Sequence, residues 1–299
     1  MKRVIVVVGP TAVGKTKIAI EIAKKYNLDV ISGDSVSVYK RLNIGSAKPT
    51  KEEMEGVKHH MIDIMEPYEQ FDVATFQKNA RKIIDNNELS LICGGTGLYI
   101  QSVLFNYEFK ALKRNNDYNL IYKDLSNEEL YNLLLEKDPK VDKEKLHYNN
   151  RKRVLRALEV NEELNDSIYS FNKKNEPLYN HYIIYLRMDR EKLYDRINKR
   201  VDQMIKDGLI DEVKSLYDDN IYPHAIGYQE FYPYFRGEIS LESAIEEVKK
   251  NTRHLAKRQE TWFKNQMESH FYDVDIDNIY HTIDEIISDL DRWLLWNYI

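Results

Sequence analysis

The sequence predicts an α/β protein: a parallel sheet covered by helices on both faces, interrupted once by a helical insertion. Three observations carry this. Short β-rich runs at 3–8, 28–32, 89–93 and 181–187 are separated by helical patterns at about 15–26, 72–87 and 97–104. Strands buried on both faces read as unbroken apolar runs, and helical crossovers are what joins parallel neighbours. The β signal stops after residue 105 and returns only at 181–187, with helical patterns in the gap. Finally, the first strand runs straight into a glycine-rich loop that opens a helix.

That loop, Gly9-Pro10-Thr11-Ala12-Val13-Gly14-Lys15-Thr16, follows Arg3-Val4-Ile5-Val6-Val7-Val8. It is a G-x-x-x-x-G-K-T phosphate loop in the strand–loop–helix setting the pattern requires. Its glycines let the backbone curl so that successive N–H groups face phosphate oxygens, and the helix N-terminus adds partial positive charge. Lys15 supplies a full charge, and the Thr16 hydroxyl can ligate Mg²⁺. Gly9, Thr11, Ala12, Val13, Gly14, Lys15 and Thr16 are therefore the candidate phosphate-binding residues. The core is P-loop NTPase-like, so ATP is the first ligand to consider.

The second strand leads into Ser32-Gly33-Asp34-Ser35. The carboxyl end of a neighbouring parallel strand faces the cradle, which places Asp34 beside the phosphate site. Asp34 can serve there as a cap or metal ligand, or as a proton acceptor. The third strand ends in Gly94-Gly95-Thr96-Gly97, where Thr96 is the only hydroxyl. It either starts the next helix or donates to an oxygen that gains charge as a bond breaks. Cys93, the only cysteine, is a small core residue or a nucleophile, and no nearby base is evident for the second role.

Helical patterns at 126–137 and 150–160, separated by Asp138-Pro139, fill the gap in the β signal. The domains expected are a core of 1–105 with 179–299 and a helical insertion of 106–178. From 190 onward the pattern is almost wholly helical. Gly208 interrupts one helix, Tyr222-Pro223 and Gly227 mark turns, and a basic helix runs from about 241 to 264. The tail (Ile279, Ile283, Ile286, Ile287, Leu290, Leu294) has helical spacing suited to packing.

The 299 residues are 42% apolar and 31% charged, with a net charge of −5, the balance of a globular chain. Cations are nevertheless concentrated in Arg151-Lys152-Arg153-Val154-Leu155-Arg156 and over 249–264, where Lys249, Lys250, Arg253, Lys257, Arg258 and Lys264 face a single acid, Glu260. Local stripes of this kind attract polyanions whatever the net charge. No apolar run approaches a membrane span, the N-terminal run is too short for a leader, and a single cysteine fits a reducing compartment. A cytoplasmic location is expected.

Taken together, the motifs resemble one family. The cradle is similar to G-P-T-A-x-G-K-T, Asp34 to Tyr39 to D-S-x-Q-x-Y, Gly45 to Pro49 to G-T-A-K-P, and His59 to Asp63 to H-H-x-I-D. Gly94 to Tyr99, Asn150 to Val160, Arg196 to Val213, Ala225 to Glu230 and Thr252 to Phe263 continue the match in order. The chain thus resembles the tRNA dimethylallyltransferases, or isopentenyltransferases.

The resemblance implies transfer of a dimethylallyl group from dimethylallyl diphosphate to the N6 amine of the adenosine 3′ of the anticodon, with Mg²⁺. The acceptor would be the anticodon stem-loop, the target base would be flipped out, and one copy of the chain would suffice. It assigns Asp34, Thr96 and Arg200 to chemistry. It assigns RNA contacts to Asp34, Ser35, Val36, Ser37, Lys152, Arg153, Arg156, Ile226, Gly227, Tyr228, Lys257, Arg258 and Gln259. His59 and His60 match family positions but read better as a structural pair. Ser37 stands where the family has glutamine, residues 110–120 lack the family pattern, and the turn after Val160 is shortened. Two other classes remain: a small-molecule or nucleotide kinase with Asp34 as base, and an RNA-binding module with a vestigial loop.

Overall fold

The computed structural model describes residues 1–107, 117–144, 146–168 and 172–296. It divides into two compact units, Met1–Leu104 with Leu178–Ile299, and Phe105–Pro177.

The first unit opens with β1 (Arg3–Val8), α1 (Lys15–Tyr26), β2 (Val30–Ser32), α2 (Lys51–Met54), β3 (His59–His60), α3 (Val73–Asp85), β4 (Leu89–Cys93) and α4 (Gly97–Leu104). The second unit holds β5 (Phe105–Tyr107), α5 (Asp117–Ile121), α6 (Asn127–Lys137), α7 (Arg151–Leu164) and β6 (Asn172–Pro177). The chain then returns to the first unit with β7 (Asn180–Arg187), α8 (Arg190–Lys206), α9 (Leu209–Asp218), α10 (Tyr232–Phe235), α11 (Leu241–Gln266), β8 (His270–Asp273) and α12 (Ile279–Trp296).

Six strands form one sheet in the order β3-β2-β4-β1-β7-β8, and every neighbouring pair is parallel. Val4 to Val8 are fully buried, as the apolar run demands of a strand packed on both faces. α1 and α12 cover one face through Ile18, Ile22, Ile283, Ile286 and Leu290. A second cluster gathers α8, α9, α10 and α11 around Leu209, Val213, Tyr228, Phe231 and Val248.

Sequence reasoning missed β3 and β8. Both are edge strands of two and four residues, and only Tyr272 of β8 is buried, so neither produces an apolar run. It also missed β5 and β6, an antiparallel pair at the two ends of the second unit. That unit otherwise packs α6 and α7 around Leu130, Leu134, Val154 and Leu158. Ser126 starts α6 with a reciprocal capping box to Glu129, and Asn150 caps α7. Of the two stretches expected to be irregular, 110–120 and 161–175, residues 110–116 and 169–171 lie outside the described residues.

Within the first unit, Leu178 N–H donates to Leu104 C=O at 2.8 Å, so the chain leaves and returns at adjacent points. Because β4 lies between β1 and β2, the loops after these three strands stand side by side at the carboxyl edge of the sheet, where ligands of open α/β sheets bind.

Candidate active site

A cavity of about 480 Å³ opens at that edge, lined by Thr11, Ala12, Gly14, Lys15, Thr16, Asp34, Ser37 and Arg200 among others. The cradle is shaped by left-handed backbone at Ala12 (φ 66°) and Gly14 (φ 105°), and Gly14 caps the start of α1. Val13 turns its side chain into the core, so it offers the cavity only backbone. Lys15 Nζ donates to the carbonyls of Gly9 at 3.1 Å and Pro10 at 2.8 Å, which folds the ammonium back over its own loop. Desolvation pulls the Lys15 pKa down to about 8, against the opposing pull of Cys93 and Asp34. The Cys93 thiol is pushed up to about 11, chiefly by burial, which makes it a poor nucleophile.

Helix α8 adds three cations to the cavity wall, Arg196, Lys199 and Arg200. Arg196 Nε donates to Ala12 C=O at 3.0 Å and so braces the cradle from outside. Arg200 reaches the carbonyl of Ala47 at 3.4 Å. Arg200 is exposed by surface area, yet the cavity walls crowd its guanidinium, and that desolvation lowers its pKa. An arginine remains charged in either environment. Sequence reasoning found Arg200 but not Arg196, which lies one helical turn earlier on the same face; the i, i+4 spacing was the available signal.

Asp34 Oδ1 accepts from the backbone N–H groups of Val36 (2.8 Å) and Ser37 (3.2 Å), an Asx turn that fixes the carboxylate. Oδ2 carries no such bond among the described residues. Thr96 stands next to this turn: its Oγ1 accepts from Ser35 N–H at 3.2 Å, and its hydroxyl lies 3.4 Å from Ser35 Oγ. Thr96 N–H donates to Gly33 C=O, and Gly33 N–H to Cys93 C=O, so β2 and β4 end in contact. A Cβ on Gly94 would overlap Gly33, which accounts for a glycine at this crossing. The structure therefore brings Lys15, Thr16, Asp34, Thr96 and Arg200 to one edge of the sheet.

Two motifs serve to hold the wall. Lys48 Nζ, buried, donates to Tyr39 C=O (2.8 Å), Asn43 Oδ1 (2.8 Å) and Asp63 Oδ1 (2.5 Å). Glu212 accepts from the backbone N–H groups of Asn43, Ile44 and Gly45 and from the Tyr228 hydroxyl at 2.7 Å. Gly227 and Tyr228 are buried in this arrangement, with Ile226 partly exposed. His59 hydrogen-bonds Val57 C=O and lines the cavity, and His60 hydrogen-bonds Asp29.

The cations of α11 are unequal. Lys249 pairs with Asp202 and Glu246, Lys250 with Glu247, and Lys264 with Glu260, while Arg253 donates to Asn198. Lys257 and Arg258 are exposed and have no such partner among the described residues. Gln259 points the other way: it accepts from Thr11 N–H at 2.9 Å and donates to Gly95 C=O at 3.1 Å. In the second unit, Lys152 and Arg153 are exposed on α7, and Arg156 pairs with Glu159 at 2.8 Å.

A glycine-rich cradle between the first strand and helix of a parallel sheet, with cations converging on its mouth, defines a protein that handles a phosphorylated substrate. The chain belongs to the IPP transferase family, which it matches over residues 37–266, and residues 2–68 match isopentenyl transferase. It is 47% identical over 301 residues to the tRNA dimethylallyltransferase of Anoxybacillus flavithermus, covering 97% of this chain and 96% of that one. The crystal structure of tRNA delta(2)-isopentenylpyrophosphate transferase from Staphylococcus epidermidis is similar, with 41% identity, a TM-score of 0.73, and coverage of 98% and 99%. A eukaryotic dimethylallyltransferase acting on tRNA is 28% identical with a TM-score of 0.84, covering 99% of this chain and 80% of that one.

Proposed function

We propose that this chain transfers a dimethylallyl group from dimethylallyl diphosphate to the N6 amine of the adenosine immediately 3′ of the anticodon in tRNA. The observation that carries it is the meeting of a phosphate cradle, a fixed carboxylate and a hydroxyl at one sheet edge, in a chain of this family. The cradle N–H groups, Lys15, Thr16, Arg196 and Arg200 hold the diphosphate. The adenine amine attacks C1 of the allyl group, the C1–O bond breaks, and its electron pair leaves with diphosphate. Thr96 donates to that bridging oxygen. Its hydrogen bond to Ser35 is long at 3.4 Å, so little is lost in turning toward the substrate. Asp34 Oδ2, the oxygen not engaged by the Val36 and Ser37 N–H groups, takes the amine proton.

Mg²⁺ fits the donor set. It binds through one or two protein oxygens plus substrate phosphates, and the Thr16 hydroxyl, which lines the cavity, would be its protein ligand. Bound there, it would neutralise charge on the departing diphosphate. Lys257, Arg258, Lys152 and Arg153 supply phosphate contacts to the RNA. No helix among the described residues is long and apolar enough to cross a membrane. A single copy in the cytoplasm is the working form.

Incubation with tRNA and either labelled dimethylallyl diphosphate or labelled ATP tests the reading. Prenyl label should appear in tRNA; transfer of the γ-phosphate of ATP to a small acceptor would make the chain a kinase instead.

A further inference from the structure

Helix α11 has two working faces. Lys257 and Arg258 look outward, whereas Gln259 and Trp262 look toward the sheet edge. Gln259 spends both ends of its carboxamide on backbone: the oxygen takes Thr11 N–H of the cradle, and the nitrogen gives to Gly95 C=O of the neighbouring loop. A Cβ on Gly95 would overlap Gln259 Nε2, and a Cβ on Gly97 would overlap the Trp262 ring. The two loops follow β1 and β4, which are hydrogen-bonded neighbours, but beyond Val7 and Cys93 the sheet pairing ends. One backbone bond follows, from Gly94 N–H to Val7 C=O at 3.1 Å, and past it the two loops are tied to each other through Gln259.

The spacing between the loops matters to the chemistry. The diphosphate is held by the cradle, while the bridging oxygen must meet the Thr96 hydroxyl on the other loop. We propose that Gln259 is a positioning residue of the transfer reaction, holding the cradle at Thr11 and the Thr96 loop at Gly95 in fixed register. The inference rests on the prenyl-transfer reading. It separates Gln259 from its sequence neighbours: Lys257 and Arg258 act on the RNA, and Gln259 acts on the leaving group through Thr96. No other polar side chain is seen to bond both loops among the described residues. A shorter amide could not span them, and a carboxylate would set a negative oxygen against Gly95 C=O.

The test is a double-mutant cycle of Gln259→Ala with Thr96→Ala, read by single-turnover prenyl transfer beside separate titrations of tRNA and pyrophosphate. Misplacing a reacting group by about 1 Å costs on the order of 10²-fold in rate. Gln259→Ala should therefore lower the single-turnover rate by about that factor, with tRNA Kd within about twofold of the parent, and add little to Thr96→Ala. Gln259→Glu should also be slow near neutral pH and recover relative to the parent as pH falls, because the protonated acid regains a donor for Gly95. Wild-type turnover in both variants overturns the proposal. So does a loss confined to tRNA affinity, or losses that multiply in the double variant. Were the parent protein itself to move no prenyl group, the underlying reading would fail instead, whatever the variants did.

Discussion

Asp34 and Thr96 sit in one hydrogen-bonded turn, yet their expected roles differ. Asp34→Asn keeps an oxygen for Val36 and Ser37 N–H, so the turn should survive while the proton acceptor is lost. Turnover should fall by roughly 10²-fold or more, with tRNA affinity near that of the parent. Thr96→Ala should slow bond cleavage without changing pyrophosphate affinity. Measurement of turnover at saturating substrates checks both. Lys15 provides a second handle, through pH. Its ammonium is desolvated and titrates near 8, well below an ordinary lysine. Because the folded pKa is depressed, the burial penalty is fully present below pH 8, and stability rises as the folded state sheds its proton between about 8 and the ordinary lysine value. A bound diphosphate favours the charged form, so binding near pH 8–9 should take up a proton. Titration in buffers of different ionisation enthalpy should reveal this, and Lys15→Met should abolish it. Lys15, Thr16 and Asp34 were legible because their spacing follows from backbone geometry next to a strand. The inward turn of Gln259 and the bracing of Ala12 by Arg196 were not, because a helix's facing is set by what it packs against.

Helix α11 shows what an element adds to a residue list. Its sequence reads as a uniform basic stripe, but Lys249, Lys250 and Lys264 pair with acids within the fold and Arg253 donates to Asn198, which leaves Lys257 and Arg258 as exposed cations with no such partner among the described residues. Each phosphate contact that releases counterions should contribute about 0.7–0.9 to the salt slope of tRNA binding. Lys257→Ala and Arg258→Ala should each flatten the slope by about that amount and weaken binding, leaving pyrophosphate affinity unchanged. Lys264→Ala, which breaks a pair with Glu260, should do much less. Binding measured across several salt concentrations, with a melting curve for each variant, distinguishes an RNA contact from a helix brace. Strands were legible in proportion to their burial. β1, β4 and β7 announce themselves as apolar runs, while β3 and β8 are short edges whose pairing depends on a partner far along the chain. Such strands leave no local signature.

At the scale of the whole molecule, the division into two units gives the broadest prediction. Replacing residues 105–177 with a short flexible linker should leave a first unit that melts cooperatively and binds pyrophosphate as the full chain does. Lys152 and Arg153 would be gone, so tRNA affinity should fall, and calorimetry beside tRNA titration would show whether the two functions part this way. The gap in the β signal made the interruption legible. Its framing pair, β5 and β6, was not, since charged and amide residues dominate Asn172–Pro177.

The hydrogen bond between Leu178 and Leu104 bears on how quickly such a chain can find its shape. β1 lies against β7 in the middle of the sheet, though one ends at Val8 and the other begins at Asn180. Contacts so distant in sequence are slow to form, because the intervening chain must lose its freedom before the contact stabilises anything. An insertion with its own core around α6 and α7 can tie off much of that intervening length as it forms. Once its two ends meet, β7 has only the residues outside the insertion to search over, and the last central strand of the sheet is delivered almost as though it followed directly on α4.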